Sequence, residues 1–258
     1  MFRVYGENGI TFKVAVKLET QAHGYRRFIA AIRKRYREMH GAGPVQGLNA
    51  GKNDRFYLFP SFGKRGRAGK RGETCFGEPD MIIGTKKANL IFEFETGAFS
   101  GLIHRNQAGV LKTQGLPYQL CRFYQLGALL LRLDEQTIAD PVNRSEEALY
   151  QFAGGNGRRT SHYYFSYSED RDRHSFEGAV RSLLGKKQYF VVSVTNDRRP
   201  EDAIAGLGQM LRMVGDGYDR KRFIALTYSD LKNAGCFGDG LQLQLGGARQ
   251  GFQAISLR

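Results

Sequence analysis

The stretch from Glu78 to Glu95, EPDMIIGTKKANLIFEFE, constrains this chain more than any other. Two runs rich in Ile, Leu, Phe and Met flank the polar link Thr85-Lys86-Lys87-Ala88, a pattern that predicts a β-hairpin. If the link closes Gly84 on Asn89, the antiparallel register follows by counting outward: Ile82 faces Ile91, Asp80 faces Glu93 and Glu78 faces Glu95. Successive side chains of a strand point to opposite faces, so Met81, Ile83, Leu90, Phe92 and Phe94 form one apolar core face. The other face carries Ile82 and Ile91 near the turn. Its far end gathers the acids Glu78, Asp80, Glu93 and Glu95.

Directly opposed side chains in such a pair have Cβ atoms about 5 Å apart, where like charges destabilise the pairing. A chain with 39 Lys and Arg has cations to spare, yet it sets Glu93 against Asp80. A hard divalent cation relieves such a cluster, and Mg²⁺ is held by one or two carboxylates completed by waters and phosphate oxygens. The alternative is a solvated acidic face.

Pro79-Asp80, followed after twelve intervening residues by Glu93-Phe94-Glu95, resembles the signature of the PD-(D/E)xK nuclease superfamily, the restriction-endonuclease-like proteins. There a Pro-Asp lies on one strand and an acid, any residue and a Lys lie on the next. Glu95 stands here in the place of the lysine, as in the Glu-x-Glu variant of some restriction enzymes. The resemblance implies a Mg²⁺-dependent endonuclease, with Mn²⁺ as a substitute ion. Asp80, Glu93 and the backbone carbonyl of Phe94 would hold the metal. Glu95 would orient or deprotonate the attacking water. The implied substrate is nucleic acid, with DNA the first expectation, and the resemblance allows for a homodimer that cuts two strands. A nucleic-acid-binding module with a degenerate nuclease fold and no catalysis is the rival expectation.

Charge points to the same partner. The chain carries a net +14 and an isoelectric point near 9.8, a surplus that an anionic polymer would balance. Five of the ten residues from Gly63 to Gly72 are basic (Lys64, Arg65, Arg67, Lys70 and Arg71), and the glycines between them predict a flexible cationic loop leading into the acidic hairpin. These five are the expected phosphate contacts. Cys75, Cys121 and Cys236 are widely spaced with no Cys-x-x-Cys pair, and the five histidines are scattered, so neither a disulfide framework nor a zinc site is indicated. No stretch has the pattern of a signal peptide or a membrane span, and the expectation is a soluble cytoplasmic protein with no membrane partner.

The rest of the chain reads as one α/β domain over residues 1–258, with an insertion at 134–187. Gly6-Glu7-Asn8-Gly9 between FRVY and ITFKVAV predicts a strand pair. In Thr20 to His40, Tyr25, Phe28, Ile29, Ile32, Tyr36 and Met39 recur at helical spacing, with Arg26, Arg27, Arg33, Lys34, Arg35 and Arg37 on the outer surface. Glu19 and Glu38 flank this helix, and in the resembling superfamily an acid from the first helix often joins the metal. RFYLFPSF, from Arg55 to Phe62, predicts a strand. Pro117 opens a helix reaching about Leu133, with Gln119 and Tyr124 near its start. His162-Tyr163-Tyr164-Phe165 reads either as base-stacking aromatics or as an edge strand, and Phe176 to Leu184 as a short helix. YFVVSVT, Pro200 to Val214 and RFIALTY predict a buried strand, a helix and a second buried strand. LQLQL suits a half-exposed edge. The order α-β-β-β-α-β with a mixed central sheet flanked by helices is that of a restriction-endonuclease-like core.

Overall fold

The computed structural model describes residues 4–64, 78–103, 115–132, 138–139, 148–153, 160–166, 183–184, 186, 188–235, 242–245 and 253–256. The chain begins with β1 (Val4–Tyr5) and two helices, α1 (Gly6–Thr20) and α2 (Ala22–His40). Strands β2 (Arg55–Leu58), β3 (Ser61–Lys64), β4 (Met81–Gly84) and β5 (Ala88–Phe94) follow, then α3 (Leu116–Arg132). Short strands β6 (Ile138–Ala139), β7 (Ala148–Ala153) and β8 (Thr160–Ser166) precede β9 (Gln188–Thr195), α4 (Pro200–Val214), β10 (Phe223–Thr227) and α5 (Tyr228–Asn233). Two last strands, β11 (Gln242–Leu245) and β12 (Gln253–Ser256), complete the order.

The central sheet has five strands in the order β10-β9-β5-β4-β2. β5, β9 and β10 run parallel, joined through α3 and α4, and β4 and β2 pair antiparallel to complete a mixed sheet. Both faces are covered. Met81, Ile83, Leu90, Phe92 and Phe94 pack with Ile10, Val14, Leu18, Phe28, Ile29 and Ile32 of α1 and α2. Ile82 and Ile91 pack on the other side with Leu120, Phe123 and Leu126 of α3 and Ala203 and Leu207 of α4. Helices therefore flank the sheet on both sides, which explains why every residue of β5 is buried. Close approach of α3 requires Gly127, where a Cβ would overlap the ring of Tyr189.

The hairpin has the register expected of it: Ile82 opposes Ile91 and Gly84 opposes Asn89. The turn is tighter than the four-residue link suggests, because Thr85 N–H donates to the Ala88 carbonyl at 2.9 Å and the Thr85 hydroxyl accepts Ala88 N–H at 3.0 Å. Only Lys86 and Lys87 bulge. Shortening the link by an even number leaves the facing of every side chain unchanged.

Four expectations are corrected. The first is the N-terminal strand pair, which is helix α1 from Gly6: Ile10, Val14 and Leu18, all buried, stand four apart and give the segment a helical stripe despite its β-branched residues. Second, RFYLFPSF is two strands rather than one. It breaks at Phe59, whose φ of 47° turns the chain, so that β2 stays in the central sheet and β3 pairs with β8 in a second sheet of order β3-β8-β7-β6. The residues 134–187 thus contribute three strands to an ordered sheet, and β8, carrying His162 to Phe165, is interior to it rather than an edge. Third, β11 is the middle strand of a small sheet between β1 and β12, not an edge. Fourth, Arg35 is buried rather than on the outer surface of α2, and it pairs with Asp230 of α5 and with Glu38. The helix expected from Phe176 lies outside the described residues up to its last two.

Candidate functional site

The acids singled out in the hairpin lie at the end of the sheet away from the Lys86-Lys87 turn. β5 brings Glu93 there. By alternation with Ile91 it lies on the face shared with α3 and α4, and Glu95, just past the strand, continues that side. Glu95 keeps its place in the ladder by donating its N–H to the Val194 carbonyl at 2.8 Å. Asp80, one residue before β4, is fixed from both neighbours: its carbonyl accepts the Phe59 N–H at 2.9 Å and its Oδ2 accepts the Phe94 N–H at 2.7 Å. Pro79, also buried, has no N–H to offer the neighbouring strand. Asp80, Glu93 and Glu95 are 9%, 8% and 8% exposed, so they do not form a solvated acidic face. Glu78 is exposed and stands outside the strand.

Three carboxylates at so little exposure carry a desolvation cost that a cation, whether a metal ion or a basic side chain, relieves. Among the described residues, no group of three His, Cys, Asp or Glu side chains is arranged to hold a metal ion. The two-carboxylate set of Asp80 and Glu93 with the Phe94 carbonyl is compatible with Mg²⁺ completed by water and phosphate, which does not need a cage of protein side chains. Neither Glu19 nor Glu38 joins this face. Glu38 is engaged by Arg35 at 2.9 Å, Glu19 is exposed at the end of α1, and both helices pack on the opposite side of the sheet.

β9 adds residues that the hairpin motif does not predict. Ser193 lies beside Glu93 in the parallel register, and Thr195 and Asp197 follow at two-residue intervals; all three are buried. Asp197 Oδ2 accepts the Thr195 hydroxyl at 2.7 Å and the Phe99 N–H at 3.1 Å, and Asn196 N–H donates to the Gly97 carbonyl at 2.9 Å. Together these bonds staple the chain after Glu95 to the end of β9. The signal was present in SVTND: polar residues at every second position where an otherwise apolar strand ends. The carboxyl ends of parallel strands, where Glu95 and Asp197 sit, are the usual place for ligands in open α/β sheets.

Of the expected phosphate contacts, Lys64 ends β3, and Arg65, Arg67, Lys70 and Arg71 lie outside the described residues. Tyr124 is a packing residue, stacked on Phe223 at a centroid distance of 5.5 Å and set edge-on to Tyr189 and Tyr218. Among the described residues no helix is long and apolar enough to cross a membrane. No protein-family model, no curated protein and no solved structure matches the chain.

Proposed function

We propose that this chain is a metal-dependent nuclease that hydrolyses phosphodiester bonds of nucleic acid, with DNA as the first substrate to test. The observation that carries the reading is the burial of Asp80, Glu93 and Glu95 at one end of adjacent strands, where the register that pairs Met81 with Phe92 would set Asp80 against Glu93 if continued by one residue. The order of elements around the central sheet, α2, β2, β4, β5, α3 and β9, agrees with the restriction-endonuclease-like core that the Pro79-Asp80 and Glu93-Phe94-Glu95 pattern implies. The net charge of +14 suits a phosphate polymer.

In this reading Asp80, Glu93 and the Phe94 carbonyl hold Mg²⁺ or Mn²⁺, which supplies Lewis-acid stabilisation of the phosphate charge and acidifies a water. Glu95 orients the attacking water and accepts its proton as a general base. The Phe94 N–H fixes one oxygen of Asp80, which restricts how that carboxylate turns. The staple from Asp197 to Phe99 limits movement of the chain beyond Glu95. The specific form that the reading extends to is a restriction-type endonuclease acting as a homodimer.

A second reading is a nucleic-acid-binding module without catalysis, for which the net charge of +14 would serve equally well. Incubating the protein with plasmid, single-stranded DNA and RNA, in Mg²⁺ or Mn²⁺ and in EDTA, separates the two. Cleavage that needs the metal and is lost in Asp80→Asn is the expected result. Binding without cleavage, equal in metal and chelator, would favour the module.

A further inference from the structure

We infer that the crevice between α2 and the chain that follows it is a phosphate-binding site, distinct from the acidic end of the sheet, for the phosphate group of a nucleotide or a nucleic-acid strand. After His40 the chain turns at Gly41 (φ 74°) and returns along the helix through the short 3₁₀ turn Pro44–Gly47. The resulting cavity of about 240 Å³ is lined by Arg33, Tyr36, Arg37, Gly43 and Val45. Arg33 and Arg37 stand one helical turn apart and both border the cavity. Among the described residues neither is ion-paired. Glu38, the acid nearest them on the helix, is engaged by Arg35 and Lys34, and Arg33 bonds only the neutral Asn49 Oδ1 at 2.9 Å.

Tyr36 supplies the second, independent observation. It is 1% exposed, and its hydroxyl has no hydrogen-bond partner among the described residues. A buried hydroxyl without a partner is costly, and the side chain that carries it lines the cavity. Gly43 leaves the room: a Cβ there would stand 2.9 Å from the Tyr36 hydroxyl oxygen. Favourable interaction of Arg37 with the C-terminal end of α2 accounts for one cation in the last turn, but not for two cations lining one cavity with a buried tyrosine.

The surroundings carry charges of both signs, with Asp219 and Arg222 both acting on the Tyr36 hydroxyl. Lys87 at the hairpin turn lies against Gly47, on the other side of the 3₁₀ turn, and Lys221 is exposed beside the start of β10. The site cannot serve the phosphate that the acids would act on. Tyr36 contacts Phe190, which pairs with Leu90, and Glu93 lies three residues, about 10 Å at ~3.3 Å each, further along β5. The acids also belong to the opposite face. The crevice therefore suits a second phosphate, away from any cleavage point.

The test uses the full chain, with three probes followed by NMR: inorganic phosphate, a nucleoside 5′-monophosphate, and a DNA duplex without terminal phosphates. Saturable shifts of the resonances of residues 33–45 are expected with at least one probe. Response to phosphate and the monophosphate alone assigns a terminal phosphate, and response to the duplex assigns the phosphodiester backbone. Arg33→Gln/Arg37→Gln should weaken binding at least about tenfold, the scale of one charge-assisted hydrogen bond. Tyr36→Phe, which preserves the packing, should also weaken it. Absence of shifts with all three probes, or unchanged binding in either crevice variant, overturns the site. Absence of DNA cleavage bears on the nuclease reading alone.

Discussion

Asp80 Oδ2 accepts the backbone N–H of Phe94 at 2.7 Å, so the ladder between β4 and β5 is continued past Met81 by a side chain. One carboxylate thus has a structural duty as well as a proposed chemical one, and substitutions can separate the two. Asp80→Ala leaves a buried N–H without its acceptor and should cost roughly 1–3 kcal/mol, read from denaturant unfolding. Asp80→Asn retains an oxygen that can accept the same bond and should unfold close to wild type. Loss of metal-dependent cleavage in that folded variant then reports on the metal.

Glu95 has a different proposed duty, that of a general base. Glu95→Gln should keep the fold and nucleic-acid affinity and lower turnover about 10² to 10⁴-fold, because an amide cannot take the proton from water. Glu95→Lys restores the residue more usual in the motif and should retain part of the activity. Both are read by single-turnover cleavage, and wild-type rates in Glu95→Gln would remove this residue from the mechanism.

Contacts from Lys64, Arg65, Arg67, Lys70 and Arg71 should make binding steeply salt-dependent. Each phosphate contact removed lowers the log-log salt slope on duplex DNA by about 0.9. Fluorescence anisotropy of a labelled duplex at several salt concentrations, for wild type and a fully neutralised variant, measures the slope. An unchanged slope would place the contacts elsewhere.

The hairpin was legible because its information is local. Gly84, Asn89 and an even-numbered link suffice to decide which residues share a face, and Pro200 announces α4 in the same way. Arg35 was not legible as a buried residue, because its partner Asp230 lies 195 residues away and nothing near Arg35 marks it off from the other arginines of α2. The segment ITFKVAV was misread for a related reason. Its β-branched residues favour a strand, and only packing of Ile10, Val14 and Leu18 beneath the sheet decides for a helix. At the candidate site, Asp80, Glu93 and Glu95 were found through a motif. Asp197 required the end of β9 to be placed beside the end of β5, a long-range pairing that no local pattern contains.

Gly127→Ala sets two effects against each other. Alanine favours a helix over glycine by about 1 kcal/mol, but a methyl group here overlaps the buried Tyr189 ring and overpacking costs roughly 1–3 kcal/mol. Net destabilisation, seen as a lower denaturation midpoint, is expected. A gain would mean that Tyr189 can shift freely.

Alkaline pH should unfold the protein through its tyrosines. Burial, helped by the bond to Asp54, raises the Tyr25 pKa well above the usual tyrosine value, and burial also raises that of Tyr189. A hydrogen bond with Cys121, then burial, pushes Tyr218 up to about 12. The folded state binds these protons more tightly than the unfolded state. Their contribution is therefore fully present below the unfolded value near 10 and is lost as pH rises through the folded values. Tm should fall from about pH 10 upward, and Tyr25→Phe should flatten that fall.

The break at Phe59-Pro60 also bears on residues 134–187. On one side of it β2 belongs to the central sheet, and on the other β3 borrows its pairing from β8. The run through Phe59 carries the chain from one sheet to the other, and the later segment supplies the partner of a strand that the earlier one began. Excising 134–187 would strip β3 of its described partner and leave an open row of backbone donors and acceptors. Truncated chains would then be prone to pair with one another through that bared edge.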